Sequence, residues 1–357
     1  AQLAVLADWI SYGAPTREAV FLTRSRHLRY SGMVPGWISG EHAREAGLVD
    51  VTALAKSAGV RVVLDECVAL DPEARVATTA GGKDLRFAIA SINTGGVGRS
   101  AAILGGDNRV IDTRPIDALV EDLGQRFSHG PPPQHVAVVG GGAGGIELAF
   151  ALANTHLTKT PLRVNIVAGK HGVLPDFGSR ARALTKRECA RQEIVIYAED
   201  AHLEAGKLFA GDTPLNPDLI IAALGSAAPE WPRIGGLATD DAGFIAVDAH
   251  QRSISHPHIL ASGDVARRTD IRVDPAGVHA VHTGPILAAN LRAAAQGLAP
   301  SRSYRPRPAS LYLLSIGRGE AIASYGSLAA QGRWAALLKA WIDKRWIANY
   351  AALSGAA

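Results

Sequence analysis

Two cysteines in 357 residues leave little room for thiol chemistry. Cys67 and Cys189 lie far apart, outside any CxxC, CxxxxC or zinc-type spacing, so the chain carries no recognisable metal cluster or redox-active disulfide motif. Cys67 falls in a strand-like run (62–68) and Cys189 in a charged, helix-like run, which makes both ordinary structural thiols. Charge of one sign is also scarce. Lys and Arg total 37 against 33 acids, a net charge of +4 that is too weak to predict a nucleic-acid partner and suits anionic cofactors equally well. Long apolar runs are missing as well: Gly, Pro or charge interrupts each one, and no secretory signal or spanning segment is legible. A cytoplasmic protein is expected, with the inner membrane surface as an alternative address. What is present is ordinary for a folded chain, 47% hydrophobic and 20% charged, long enough for two domains and a smaller piece.

One motif organises the chain. His135 to Val139 is a short, β-branched apolar run typical of a buried parallel strand. Gly140, Gly142 and Gly145 follow in G-x-G-x-x-G spacing with Ala143 and Gly144 between, and 146–152 has apolar residues three and four apart, as a helix would. Strand, glycines and helix in succession predict a dinucleotide-binding βαβ unit. Gly140 permits the tight turn, Gly142 lets a pyrophosphate approach, and Gly145 lets the helix pack on the strand. Unpaired N–H groups at the helix start favour the diphosphate charge. The next strand is expected at Arg163 to Val167.

An expected acid is missing. A site preferring NAD carries Asp or Glu at the end of that second strand, on the ribose hydroxyls. Here Ala168 stands there, followed by Gly169, Lys170 and His171, and the two basic residues could instead meet a 2′-phosphate. A second dinucleotide site is suggested by 258–266, a buried-strand pattern running into Gly263 and Asp264. That carboxylate either accepts a ribityl or ribose hydroxyl or caps a helix. Two further apolar strands, 85–92 and 218–224, are expected to stop in glycine, one at Asn93-Thr94-Gly95 and the other at Gly225, where the chain can pass close to a cofactor.

The series "NTGG", "VVGGGAGGIELA", "AALGSAAP" and "ILASGDVA", in that order, resembles the pyridine nucleotide–disulfide oxidoreductase superfamily. Within it the chain is similar to type II NADH dehydrogenase-like flavoproteins, and most of all to the FAD modules that some bacteria fuse to selenide, water dikinase. The "YSGMVPG" segment (30–36), 275–284 and 322–326 support this over nearly the whole chain. The resemblance implies an α/β fold with two Rossmann-like domains, a two-dinucleotide-binding flavoprotein that takes hydride from NADH or NADPH and passes electrons through FAD to a quinone or another small acceptor. By position, Gly263 and Asp264 would hold the ribityl chain, and Asn93, Thr94 and Gly95 would close over the FAD diphosphate or adenosine side. Ser31, Gly32, Met33 and Pro35, with Gly277 and Val278, would flank the isoalloxazine. Gly140, Gly142 and Gly145 would carry the nicotinamide dinucleotide, with Glu147 near the nicotinamide–flavin meeting point. His279 and His282 are candidate proton relays, or else packed or solvated side chains. No metal and no side-chain nucleophile is called for.

Departures from the family pattern set further expectations. The superfamily opens with a strand and glycine turn for FAD, whereas residues 1–9 read as the helix that follows such a turn. Either that strand lies outside these residues or the protein lacks it, in which case FAD affinity is in doubt. The strand 19–22 ends in Thr23 and Arg24 without a ribose acid. Quinone-reducing relatives carry glutamines where Val278 and His282 stand, and disulfide and sulfide:quinone reductases need cysteines beside the flavin that are not matched here. Residues 332–350 are expected to form an amphipathic helix with Trp334, Leu337, Leu338, Trp341 and Ile342 on one face and Arg333, Lys339 and Lys344 on or near the other. It either packs on its own domain or a second subunit, giving a homodimer, or makes peripheral membrane contact. The expected domains are 1–98 with 236–300 for FAD, 99–235 for NAD(P)H, and 301–357 as a C-terminal region. A non-catalytic dinucleotide- or partner-binding module is the competing reading.

Overall fold

The computed structural model describes residues 1–273 and 277–355. The N-terminal third is built from α1 (Gln2–Tyr12), β1 (Val20–Thr23), β2 (Arg61–Leu64) and β3 (Ala90–Ile92). Leu3 and Leu6 of α1 enter a core with Val49, Leu54 and Val60, while Val5 faces the other way. β1 pairs in parallel with β2. The expected strand 85–92 is in fact two pieces: Asp84–Arg86 closes an antiparallel three-stranded sheet with 67–71 and 76–79, and only β3 runs parallel in the cofactor-domain pattern. Two different partners claim the two halves, so the chain must break between them.

The middle of the chain forms one five-stranded sheet. Its strands are β4 (Val110–Asp112), β5 (His135–Val139), β6 (Arg163–Val167), β7 (Val195–Tyr197) and β8 (Leu219–Ala222), with α2 (Ala143–Ala153) between β5 and β6 and α3 (Ser179–Arg191) between β6 and β7. The spatial order is β7-β6-β5-β8-β4, all parallel. Every residue from Val136 to Val139 is buried, as a central strand covered on both faces requires. Phe150, fully buried on α2, packs into the same core as Val138, Ile166 and Ile221.

The chain then returns to the first unit. β9 (Ile259–Ala261) pairs in parallel with β3, and α4 (Gly277–Ala295) lays Leu287 and Ala288 against Leu260 and against Val5 of α1. Arg292 of α4 grips the Asp8 carboxylate at 2.6 Å, locking α4 to α1. The other edge of β3 has no strand partner among the described residues; the Gln2 side-chain amide donates to the Ser91 carbonyl at 3.0 Å instead. A final antiparallel sheet, β10 (Leu311–Ser315), β11 (Ala321–Tyr325) and β12 (Leu328–Gly332), leads into α5 (Arg333–Leu353).

The orientation of α5 departs from the expected one. Lys339 points inward beside buried Asp343, while Trp334, Leu337, Trp341 and Ile342 remain exposed. Burial of Lys339 follows from buried partners on distant elements, described below. No helix among the described residues is long and apolar enough to cross a membrane.

Candidate functional site

The glycine turn after β5 is shaped by two close approaches. Gly140 has φ +130°, and a Cβ built there would stand 2.1 Å from the Ala223 carbonyl oxygen of the neighbouring strand end. A Cβ on Gly145 would lie 2.2 Å from the Gly140 carbonyl oxygen, so α2 presses onto the turn where only hydrogen fits. Gly142 and Gly144 differ: nothing lies within 4 Å of a Cβ at either. Space therefore opens over the first turn of α2, whose N-terminus carries no side-chain cap. A tight base, an open mouth and uncapped N–H groups suit a diphosphate.

The two glycine-rich strand ends meet. Val97 and Ala227 exchange both backbone hydrogen bonds, at 2.9 and 3.0 Å, so the stretch containing Asn93, Thr94 and Gly95 is clasped to the stretch containing Gly225. On the other side Asn93 Nδ2 donates to the Ser262 carbonyl at 2.6 Å and sits 2.4 Å from where a Gly263 Cβ would be. Asn93, Gly95, Gly225 and Gly263 are thus drawn to one region by the β3–β9 pairing and the clasp. Asp264 lies within the helical turn 263–265, whose N-cap position is Ser262 without a side-chain cap bond, so its carboxylate does not serve as the N-cap. It pairs instead with Arg114 at 2.6 Å. Sequence reading missed Arg114, since no motif marks it; it reaches Asp264 from just beyond the end of β4.

A cavity of about 60 Å³ lies beneath this turn, lined by Gln251, Ser262, Gly263, Asp264, His279 and Tyr304 among others. The Ser262 hydroxyl and the Gln251 side-chain oxygen are buried there without a hydrogen-bond partner. Buried orphans beside a carboxylate can take up hydroxyls, so these residues fit a polyhydroxylated chain such as ribityl. His279 Nδ1 lies 2.6 Å from the Tyr304 hydroxyl, whereas His282 is exposed one turn further along α4. Gly277 and Val278 open that helix, and Pro275 and Ala276 of the same motif lie outside the described residues.

Glu147 sits one turn into α2 and belongs to a buried charged group. Its Oε1 accepts the Ser315 N–H at 2.9 Å. Burial pushes its carboxyl above the ordinary glutamate range; Lys339 and the Ser315 N–H oppose that push and Asp343 adds to it. Lys339 donates to the Gly32 carbonyl at 2.9 Å and to Asp343 Oδ2 at 3.0 Å. Burial works against its ammonium, but Glu147 and Asp343 outweigh that and hold its pKa above the usual lysine value. Tyr30 is raised too, by burial first and then by Asp343, and its ring stacks on Trp346 at 4.5 Å. Ser31 and Gly32 form the outer edge of this segment, while Met33 and Pro35 are buried beneath. Glu147 and the 31–35 segment are therefore brought together, by residues of α5 that no motif marked; an i,i+4 Lys–Asp pair interrupting an apolar helix was the available signal. His279 bonds to a different element.

At the far end of β6, Ala168 is buried and Lys170 exposed, with its Nζ 3.3 Å from Asp200 Oδ2. Neither cysteine is poised for chemistry. Burial pushes the Cys67 thiol up to about 11 and the Cys189 thiol up to about 12, the first in the antiparallel sheet of 67–86 and the second inside α3. No group of potential metal ligands occurs among the described residues.

Comparison with known proteins gives one family. The profile described as "Pyridine nucleotide-disulphide oxidoreductase" matches residues 14–290. A search of curated protein sequences returns no match. Among solved structures, the sulfide:quinone oxidoreductase from Aquifex aeolicus is similar at TM-score 0.76 and 15% identity, over 98% of this chain and 89% of that one. A NAD-dependent persulfide reductase from A. fulgidus is similar at TM-score 0.74 and 18% identity, over 95% and 64%. Reduced Bacillus anthracis CoADR-RHD is similar at TM-score 0.74 and 19% identity, over 90% of this chain but only 59% of its own. At these identities the likeness is one of fold, the two-domain FAD/NAD(P)-binding architecture.

Proposed function

Because this chain belongs to the pyridine nucleotide–disulphide oxidoreductase family, whose members are FAD-dependent enzymes that use NADH or NADPH, we propose that it oxidises a nicotinamide dinucleotide through FAD and passes the electrons to a quinone or another small acceptor. The observation that carries this reading is the turn after β5: tight at Gly140 and Gly145, open at Gly142 and Gly144, and one helical turn from Glu147. Residues 99–235 serve as the nicotinamide domain, 1–98 with 236–300 as the FAD domain, and 301–357 as the region that closes over both through Ser315 and Lys339.

In this reading Gly142, Ala143, Gly144 and Gly145 offer backbone N–H groups to the nicotinamide dinucleotide, and the clasp through Gly225 sets the distance between the two cofactors. Asp264 and the Ser262 hydroxyl hold the ribityl chain, with Arg114 neutralising the carboxylate or turning to the diphosphate. Asn93, Thr94 and Gly95 close over the diphosphate or adenosine side. Ser31 and Gly32, resting on Met33 and Pro35, and Gly277 and Val278 would flank the ring. FAD, when bound, supplies the hydride acceptor and the electron outlet. Glu147, with its raised pKa, holds a proton at its carboxyl to higher pH than a free glutamate and can give it up when the acceptor is reduced. His279, with its Tyr304 partner, is a second proton carrier, and exposed His282 can exchange protons with solvent.

Two high-pKa thiols away from this site speak against a cysteine relay and for direct transfer to a small acceptor. The exposed apolar face of α5, flanked by Arg333, Lys344 and Arg345, supports a quinone through peripheral contact with an anionic membrane surface, whereas Val278 and His282 in place of the quinone reductases' glutamines speak for another small acceptor; a second copy of the chain is the competing occupant of that face.

The test is anaerobic mixing of FAD-loaded protein with NADH and NADPH, followed by quinones and small oxidants. Gly142→Val should abolish nicotinamide-dependent loss of the flavin band near about 450 nm while leaving FAD content unchanged, because its side chain enters open space rather than protein. Normal reduction in that variant, or a protein that takes up no FAD and shows no diaphorase activity, would refute the reading.

A further inference from the structure

The end of β6 lacks the acid that normally reads the adenosine ribose, and Ala168 stands in its place. The adjacent strand supplies a substitute. Parallel pairing sets Val167 opposite Tyr197 and continues past both strands. The Ala168 N–H donates to the Tyr197 carbonyl at 2.8 Å, and the Gly169 N–H to the Glu199 carbonyl at 3.0 Å. Extension by one residue lays the Asp200 carboxylate against the loop where the missing acid would have been. Its Oδ1 accepts the Lys170 N–H at 3.3 Å, and its Oδ2 lies 3.3 Å from Lys170 Nζ. A Cβ on Gly169 would stand 3.5 Å from Oδ1, an ordinary contact, so the loop lies directly against the carboxylate.

This pair does not hold the fold together. The side chains are 72% and 65% exposed, and an ion pair so open to water adds little stability. Its position at the strand end, on the same edge of the sheet as the Gly140–Gly145 turn, gives it a different use. Resting on the nicotinamide-domain reading above, we infer that Asp200 is the residue that sets dinucleotide preference, selecting NADH over NADPH. A ribose 2′-hydroxyl can donate to this carboxylate in a charge-assisted hydrogen bond. A 2′-phosphate brings about two negative charges to a rim that already holds the Asp200 carboxylate, and the Lys170 ammonium that would welcome it lies 3.3 Å from that same carboxylate. Lys170 thus looks in sequence like a 2′-phosphate anchor and is converted by its neighbour into a partner for the acid.

The experiment is calorimetric titration of FAD-loaded protein with NAD+ and NADP+, with flavin reduction by NADH and NADPH followed in parallel. The parent should bind NAD+ at least about tenfold more tightly than NADP+. Asp200→Asn should tighten NADP+ by about tenfold and weaken NAD+ severalfold, since it removes a like charge and frees Lys170. Lys170→Ala in the Asp200→Asn background should abolish most of the NADP+ gain, which a general loosening of the loop would not do. A parent that prefers NADP+, or an Asp200→Asn variant with an unchanged ratio, overturns the inference. Preferential NAD+ binding without flavin reduction by NADH would uphold it and sink the hydride-donor reading, whereas binding of neither nucleotide would sink both.

Discussion

Replacement of Lys339 by methionine tests the buried charged group most directly. The change keeps the length and apolar stem of the side chain and removes only the ammonium. Glu147 and Asp343 then share an enclosed space with no cation between them, and loss of one partner from a buried group of this kind costs about 3 kcal/mol or more. The cost should depend on pH. Glu147 is an acid whose folded-state pKa is raised above its ordinary 4.5, so the folded chain gains from its protonation. Stability is fullest below the ordinary value and falls as pH climbs through the raised one. Lys339 limits that fall in the parent. Its own raised pKa contributes stability that is complete below the ordinary 10.5 and is lost only as pH rises through the folded value, so its charge is constant across neutral pH. Without it the Glu147 pKa rises further, and each additional unit adds about 1.4 kcal/mol of penalty once the carboxyl is ionised. Thermal unfolding from about pH 5.5 to about pH 8.5 should therefore show a small Tm gap between Lys339→Met and the parent at the acid end. The gap should widen to roughly 6 °C at the alkaline end. Adding Glu147→Gln to the variant should close most of that difference. A gap that stays constant with pH, or that the second substitution leaves intact, would refute the idea that Lys339 acts through the Glu147 carboxyl.

Gly145→Val should lower Tm by several degrees and impair flavin reduction together, because its side chain would begin 2.2 Å from the Gly140 carbonyl oxygen; circular dichroism melting and a reduction assay separate it from Gly142→Val, which should affect reduction alone. Leu337→Glu with Trp341→Glu should reduce binding to anionic phospholipid vesicles by at least about tenfold and leave nicotinamide-dependent reduction of a soluble acceptor unchanged, since both side chains face solvent. Equal vesicle binding by parent and variant would remove the membrane role from α5.

What could be read from the sequence is what short-range chemistry writes there. β5, its turn and α2 were legible because strand composition, glycine spacing and helical periodicity act within about twenty residues and agree with one another. The continuous strand expected over 85–92 was not, because each half is claimed by a partner far away, 76–79 for one and β9 for the other. The span of α5 was legible but its orientation was not. Periodicity alone assigns Lys339 to water, and only the arrival of Glu147, Gly32 and Asp343 makes an inward ammonium affordable. Asp200 was invisible for a similar reason: its place beside Lys170 depends on the register between β6 and β7, and no local pattern encodes that register.

The same distinction explains why α5 belongs to the site as well as to the surface. A helix held by apolar packing alone would bury Trp334, Leu337 and Trp341 and leave Lys339 outside. Here the inward side carries, besides the apolar packing of Trp346, Ile347, Tyr350 and Leu353 on the α1 core, an ion pair and a bond to the Gly32 carbonyl, contacts whose desolvation costs favour geometry over raw stability. Those contacts fix the 31–35 segment against Glu147 through Lys339, as the proposed roles of both require. With the inward face occupied in this way, Trp334, Leu337, Trp341 and Ile342 are left outward.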